Sequence, residues 1–160
     1  VPQHYKTSMS KEIQKWRNRF FRYAPLFFWI ILIFILSSNL GSMSNTSRFI
    51  LPLLNFLFPG VPEEVLKVYH GYIRKTAHVT EYAILAWLAA RAFISSSIYL
   101  LNRAYILSSL LLVLIVASLD EFQQSFLASR TASPKDVMLD VFGGILSLII
   151  FYLVCKKPSP

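Results

Sequence analysis

The sequence predicts an all-α integral membrane protein, a four-transmembrane-helix bundle with one or two short interfacial helices between the first and second spans. Three observations carry this. The 160-residue chain is 55% hydrophobic and only 15% charged, whereas a soluble domain holds about 25% charged residues. The charges are also confined, because residues 23–47, 104–119 and 141–155 contain none. Such runs reach or approach the ~20 residues that cross about 30 Å of hydrocarbon as a helix. They lack the polar stripe that a soluble bundle presents to water, which excludes that class.

The elements follow in order. Residues 1–22 form a cytoplasmic, basic, partly amphipathic segment. Lys6, Lys11, Lys15, Arg17, Arg19 and Arg22 stand there against one acid, Glu12, and Ile13, Trp16 and Phe20 recur at helical spacing, the pattern of a short helix lying in the interface. The transmembrane domain covers 23–155, with spans at about 23–40, 73–93, 104–120 and 136–155. Span one carries Pro25 in its first turn, where a missing N–H costs least, and is too long for a cleaved signal segment, so an uncleaved anchor is expected. Residues 49–58 are apolar but too few to span; with Pro52 inside and Pro59-Gly60 after them, they read as a surface-lying or re-entrant segment. Pro62-Glu63-Glu64 then opens a helix in a way that suits its dipole, with a bend expected at Gly71. Span two keeps its charges in its first half, span three follows Arg103, and span four contains Gly143 and Gly144, which permit close helix approach. Residues 156–160 are a short tail.

The net charge of +8 would suggest nucleic acid in a soluble protein. Here the basic residues flank apolar runs with no basic, aromatic-interleaved groove, so nucleic acid is excluded as a partner and anionic lipid headgroups take its place. Cys155 is the only cysteine, which excludes an internal disulfide and a multi-cysteine metal site. Ten of the Lys and Arg residues fall on the side of both termini and six on the other, which places both termini in the cytoplasm. The three polar clusters then share the extracytoplasmic side.

Those clusters are the candidate site. Arg74, His78 and Glu81 are spaced by four and three and share a helix face with Lys75 and Tyr82 nearby. Glu81 is placed to orient the ring of His78. Asp120, Glu121 and Gln124 end span three, Arg130 follows in a loop, and Asp136 and Asp140 share a face at the start of span four. Ionisable groups at hydrocarbon depth are costly unless they face a protein interior or a wet cavity, which points to one shared polar site.

Three chemistries remain open. Arg74, Lys75 and Arg130 can hold a phosphate or pyrophosphate while His78 or a carboxylate transfers a proton. A subset of His78, Glu81, Asp120, Glu121 and Asp140 can bind a divalent metal, although the paired histidines of a zinc motif are absent. The groups can also form a purely structural network. No phosphate-loop, nucleophile-elbow or dinucleotide pattern is present, and no organic cofactor is expected.

Arg74-Lys75-Thr76-Ala77-His78-Val79-Thr80-Glu81-Tyr82 resembles the signature that opens the second helix of the VanZ-like family, a family of teicoplanin-resistance-associated small membrane proteins. Asp120-Glu121-Phe122-Gln123-Gln124, then Arg130, Asp136 and Gly143-Gly144, resemble its second signature, and the likeness covers about residues 27–151. One position departs: an asparagine is common where this chain has Asp140. An ionised Asp140 favours a cation, and a protonated one imitates the amide donor. The resemblance implies a four-helix, multi-pass protein of the bacterial cytoplasmic membrane in a cell-envelope setting.

The favoured function is an envelope protein that binds or modifies a lipid-linked phosphate at an outer-leaflet polar site, with an influence on glycopeptide susceptibility. Its partner would be a membrane phospholipid or polyprenyl phosphate. His78, Glu81, Asp120 and Glu121 are the candidate catalytic groups, and Arg74, Lys75, Tyr82, Gln124, Arg130, Asp136 and Asp140 the candidate ligand-binding groups. The alternative is a non-catalytic structural or interaction protein whose polar cluster only cross-links helices. A transporter or channel is disfavoured, because spans one and four carry no charge in their inner halves.

Overall fold

A computed structural model describes residues 3–127 and 133–155, all of their regular structure helical. Six α-helices follow one another: α1 (Gln3–Leu36), α2 (Met43–Leu57), α3 (Glu63–Phe93), α4 (Tyr99–Arg103), α5 (Tyr105–Ser125) and α6 (Pro134–Val154), with one turn of 3₁₀-helix at Asn39–Gly41. Among the described residues, three stretches are long and apolar enough to cross a membrane: Gln14–Leu36, Tyr105–Ser125 and Pro134–Val154. The arrangement is an all-α, membrane-associated bundle in which α3 lies against α1, α2, α5 and α6.

α1 is a single helix of 34 residues, whereas the sequence suggested a separate interfacial helix before the first span. No glycine or proline interrupts residues 3–24, so helical hydrogen bonding continues across the amphipathic stretch. Pro25 therefore lies in the helix interior rather than in its first turn. The helix ends at Leu36, four residues before the expected boundary, where Ser37 and Ser38 begin a turn. Tyr23 OH donates to Ser96 Oγ (2.8 Å) in the α3–α4 connection, which fixes the level of one end of the bundle. The basic residues Lys15, Arg19 and Arg22 stand near Ser95, Ser96 and Ser97 at that end.

At the other end, Ser42 caps α2, its Oγ accepting from Asn45 N. α2 starts earlier than the apolar run at residue 49 suggested, because this cap recruits the polar turn into the helix. Its 15 residues are too few to span as a helix, and Leu54 is its one buried side chain. Gly60 turns the chain at φ +88°, a conformation that a side chain would strain.

α3 runs 31 residues without interruption through Gly71, so the helix is not broken there and the second interfacial helix is the first part of α3. At 1.5 Å per residue it is about 46 Å long, more than a bilayer core needs. Glu63 and Glu64 complement its N-terminus, and Lys67 Nζ lies 3.1 Å from a carboxylate oxygen of each. Further along, Ala86, Ala89, Ala90 and Ala92 are fully buried, and small residues of this kind let helix backbones close up.

The closest approach is made by α6. A Cβ on Gly143 would lie 2.5 Å from the Val79 carbonyl oxygen, and one on Gly144 would lie 3.0 Å from Val113 Cγ1. The two glycines thus seat α6 against α3 on one side and α5 on the other. Toward the α4 end, the Phe151 ring packs edge-on against Trp87 at 5.0 Å and Tyr105 at 6.2 Å. Phe27, Phe28, Leu111, Leu114, Ile149 and Ile150 remain exposed around the bundle, as expected for side chains that face lipid.

Candidate functional site

α1 and α5 end, and α6 begins, at the same end of the bundle, where α3 passes between them. This places the polar residues of all four together, and they divide into a buried knot and an open cavity.

The knot is centred on Asp120, a carboxylate only 1% exposed in the last turns of α5. Its Oδ2 accepts three hydrogen bonds: from Ser37 Oγ at the end of α1 (2.9 Å), from Tyr82 OH on α3 (3.2 Å) and from Gln124 Nε2 one turn along α5 (3.0 Å). One oxygen therefore joins three helices. Nearby, Gln123 Nε2 donates to the Phe34 carbonyl (3.3 Å), a second tie between α5 and α1. Asp120 Oδ1 has no hydrogen-bond partner among the described residues. Tyr82, a candidate ligand-binding residue from the sequence, is fully buried here with its hydroxyl turned to Asp120.

The cavity lies beside the knot and measures about 340 Å³, within the ~300–1,000 Å³ usual for small-molecule sites. Arg74, Lys75 and His78 reach it from α3, Glu121 and Gln124 from α5, and Asp136 and Asp140 from α6, with Met43 of α2 at its wall. Gln124 belongs to both the knot and the cavity. Glu121 Oε1 accepts from Ser133 N, which ties the end of α5 to the start of α6. Asp140 is 3% exposed and its Oδ1 lies 4.0 Å from His78 Nδ1. Asp136 acts electrostatically on Arg74 across the cavity. Ser133 caps α6, so Asp136 and Asp140 sit within its first two turns.

Glu81 borders a second, largely apolar groove between α1 and α3, shared with Trp29, Tyr72 and Ile84. The Trp29 indole N–H donates to the Glu81 carbonyl (2.9 Å). Among the described residues, no group of three His, Cys, Asp or Glu side chains converges as metal ligands. Arg130 lies outside the described residues.

Two participants escaped the sequence reading. Ser37 read only as the polar end of a span. His70, fully buried, holds α2 to α3: Thr46 Oγ1 lies 3.0 Å from its Nε2 and Ser47 Oγ 3.3 Å from its Nδ1. The signal for His70 was its spacing, one turn before Arg74 and two before His78 on a single stripe.

Apolar helices knotted through one buried carboxylate, with a charged cavity at the same end, define an all-α membrane protein with an inter-helix hydrogen-bond network. The chain belongs to the VanZ/LLP1 family, whose model matches residues 21–155 and so takes in both the knot and the cavity. No curated protein and no solved structure matches it.

Proposed function

We propose that this chain is a non-catalytic membrane protein of the bacterial cell envelope, whose polar residues serve first to join helices and then to hold a ligand without reacting with it. The observation that carries this is the triple acceptance by Asp120 Oδ2. Those bonds occupy Tyr82, Gln124 and Ser37 in cross-linking, and Asp120 itself is not among the described residues that line the cavity.

A second reading, that the protein binds a lipid-linked phosphate, is favoured by the cavity itself. Arg74 and Lys75 line it from one helix, and a guanidinium suits phosphate oxygens bidentately. Arg130 is a further candidate for this contact. In this reading residues 73–93 of α3 form the second of four spans, added to the three apolar ones, and the cavity faces the outer leaflet with both termini cytoplasmic. Lys15, Arg19, Arg22, Arg91 and Arg103 would then meet the inner headgroups. An effect on how glycopeptides such as teicoplanin meet the cell surface belongs to the same proposal and follows from the family resemblance.

The test is native mass spectrometry of gently extracted protein. The wild type and His78→Gln should both retain a phosphate-bearing lipid, and Lys75→Gln paired with Arg74→Gln should lose it at an unchanged melting temperature. Conversion of the lipid over time, abolished by His78→Gln, would make the protein an enzyme and overturn the first reading.

A further inference from the structure

We infer that the cavity takes a phosphate ester carrying a primary ammonium, the chemistry of an ethanolamine phosphate headgroup. This rests on the phosphate reading given above and names the ligand class of that site. The cavity is not an anion trap, because Arg74 and Lys75 face three carboxyl groups, Glu121, Asp136 and Asp140. A bare phosphate would meet the Glu121 and Asp136 carboxylates in the same cavity and be repelled by them, whereas a ligand with one charge of each sign matches both walls.

The three acids are not equivalent. Glu121 receives the Ser133 backbone N–H, and Asp136 acts on Arg74. Asp140 is almost wholly buried, yet its Oδ1 has no hydrogen-bond partner among the described residues. His78 Nδ1 stands 4.0 Å away, beyond hydrogen-bond distance. A buried acceptor left without a donor is costly, and a donor supplied by a ligand recovers that cost. A primary ammonium brings three N–H donors on a compact head. A quaternary choline head has the same charge and none of those donors. Choline sites are built from aromatic faces, and no Phe, Tyr or Trp is among the described residues lining the cavity.

The ester can come from a lipid or from solution, and the two are separable. Binding of dioleoyl phosphatidylethanolamine, phosphatidylcholine and phosphatidylglycerol to the full chain in detergent is measured by native mass spectrometry, with soluble glycerophosphoethanolamine as competitor. The ethanolamine lipid should bind at least about tenfold more tightly than either other lipid, about 1.4 kcal/mol. Asp140→Asn should reduce that preference to within about threefold, while Lys75→Gln weakens all three lipids alike. Displacement by the soluble ester identifies the dissolved form as the ligand, and retained lipid binding in its presence identifies the lipid. Equal binding of the three lipids, or a preference untouched by Asp140→Asn, overturns the inference while leaving the phosphate reading in place. Failure of all three lipids to bind overturns both. The lipid comparison needs only the wild-type chain, so a variant that fails to fold leaves the test intact.

Discussion

Replacing Gly143 with alanine strikes the point on which the position of α6 depends. The added methyl would lie 2.5 Å from the carbonyl oxygen of Val79 and 3.0 Å from its Cγ1. The first neighbour is backbone in the middle of α3 and cannot rotate away, so α6 must move outward. Overpacking of this kind costs about 1–3 kcal/mol, and the better helix propensity of alanine returns up to about 1 kcal/mol. The expected net loss is about 1–2 kcal/mol. Gly144→Ala meets only a side chain, Val113 Cγ1 at 3.0 Å, and should fall within about 1 kcal/mol of wild type. The discriminating variant is Gly143→Ala with Val79→Ala. It removes the methyl contact but not the carbonyl, and so should recover less than about 0.5 kcal/mol, a small part of the overpacking cost. Reversible unfolding in mixed detergent micelles, followed by tryptophan fluorescence, reads these differences. Wild-type stability in Gly143→Ala, or full rescue by Val79→Ala, would refute the close backbone crossing. Because α6 carries Asp136 and Asp140, the same substitution should also weaken binding in the cavity.

Asp120→Ala should cost about 2–5 kcal/mol, because it strands three buried donors and inter-helix hydrogen bonds in membrane proteins average ~0.6 and reach ~1.7 kcal/mol each, with a further penalty for unpaired groups. Tyr82→Phe removes one of the three and should cost about 0.6–1.5 kcal/mol in the same unfolding assay. His70, ahead of the proposed spanning part of α3, is held below its usual pKa of 6.5 by burial and then by the charge of Arg74. The unfolded chain therefore takes up that proton first. Stability should be level above about pH 6.5 and fall as pH drops from there through the lower folded value, by at most about 1.4 kcal/mol per pH unit. Melting temperatures at pH 7.5 and 5.0 check this, and His70→Gln should flatten that part of the profile.

The apolar runs made α5 and α6 legible to within a few residues, because in both cases a helix cap or a charged residue closes a long hydrophobic stretch. Continuity was not legible. Gly71 and Pro25 are helix breakers by propensity, yet α3 and α1 pass through them. A glycine costs a helix only about 1 kcal/mol, and tertiary contacts on either side exceed that. Arg74 and His78, spaced by one helical turn, both line the cavity, and that much could be read from spacing. It could not tell that Glu81, three residues on, borders a groove toward α1, because periodicity along one helix does not reveal which neighbour each edge meets. For the same reason Tyr82 looked like a ligand contact and lies in the knot, and Ser37 looked like a chain end and binds a carboxylate 83 residues away.

That last contact offers the most direct measurement. A double-mutant cycle of Ser37→Ala and Asp120→Ala, followed by unfolding in micelles, isolates the coupling between the end of α1 and the last turns of α5. A coupling of about 0.5–1.7 kcal/mol is predicted for a buried hydroxyl donating to a carboxylate between membrane helices. Single-mutant effects that add to within about 0.3 kcal/mol would mean that the two side chains do not meet, and the knot on which the cavity is built would be wrong.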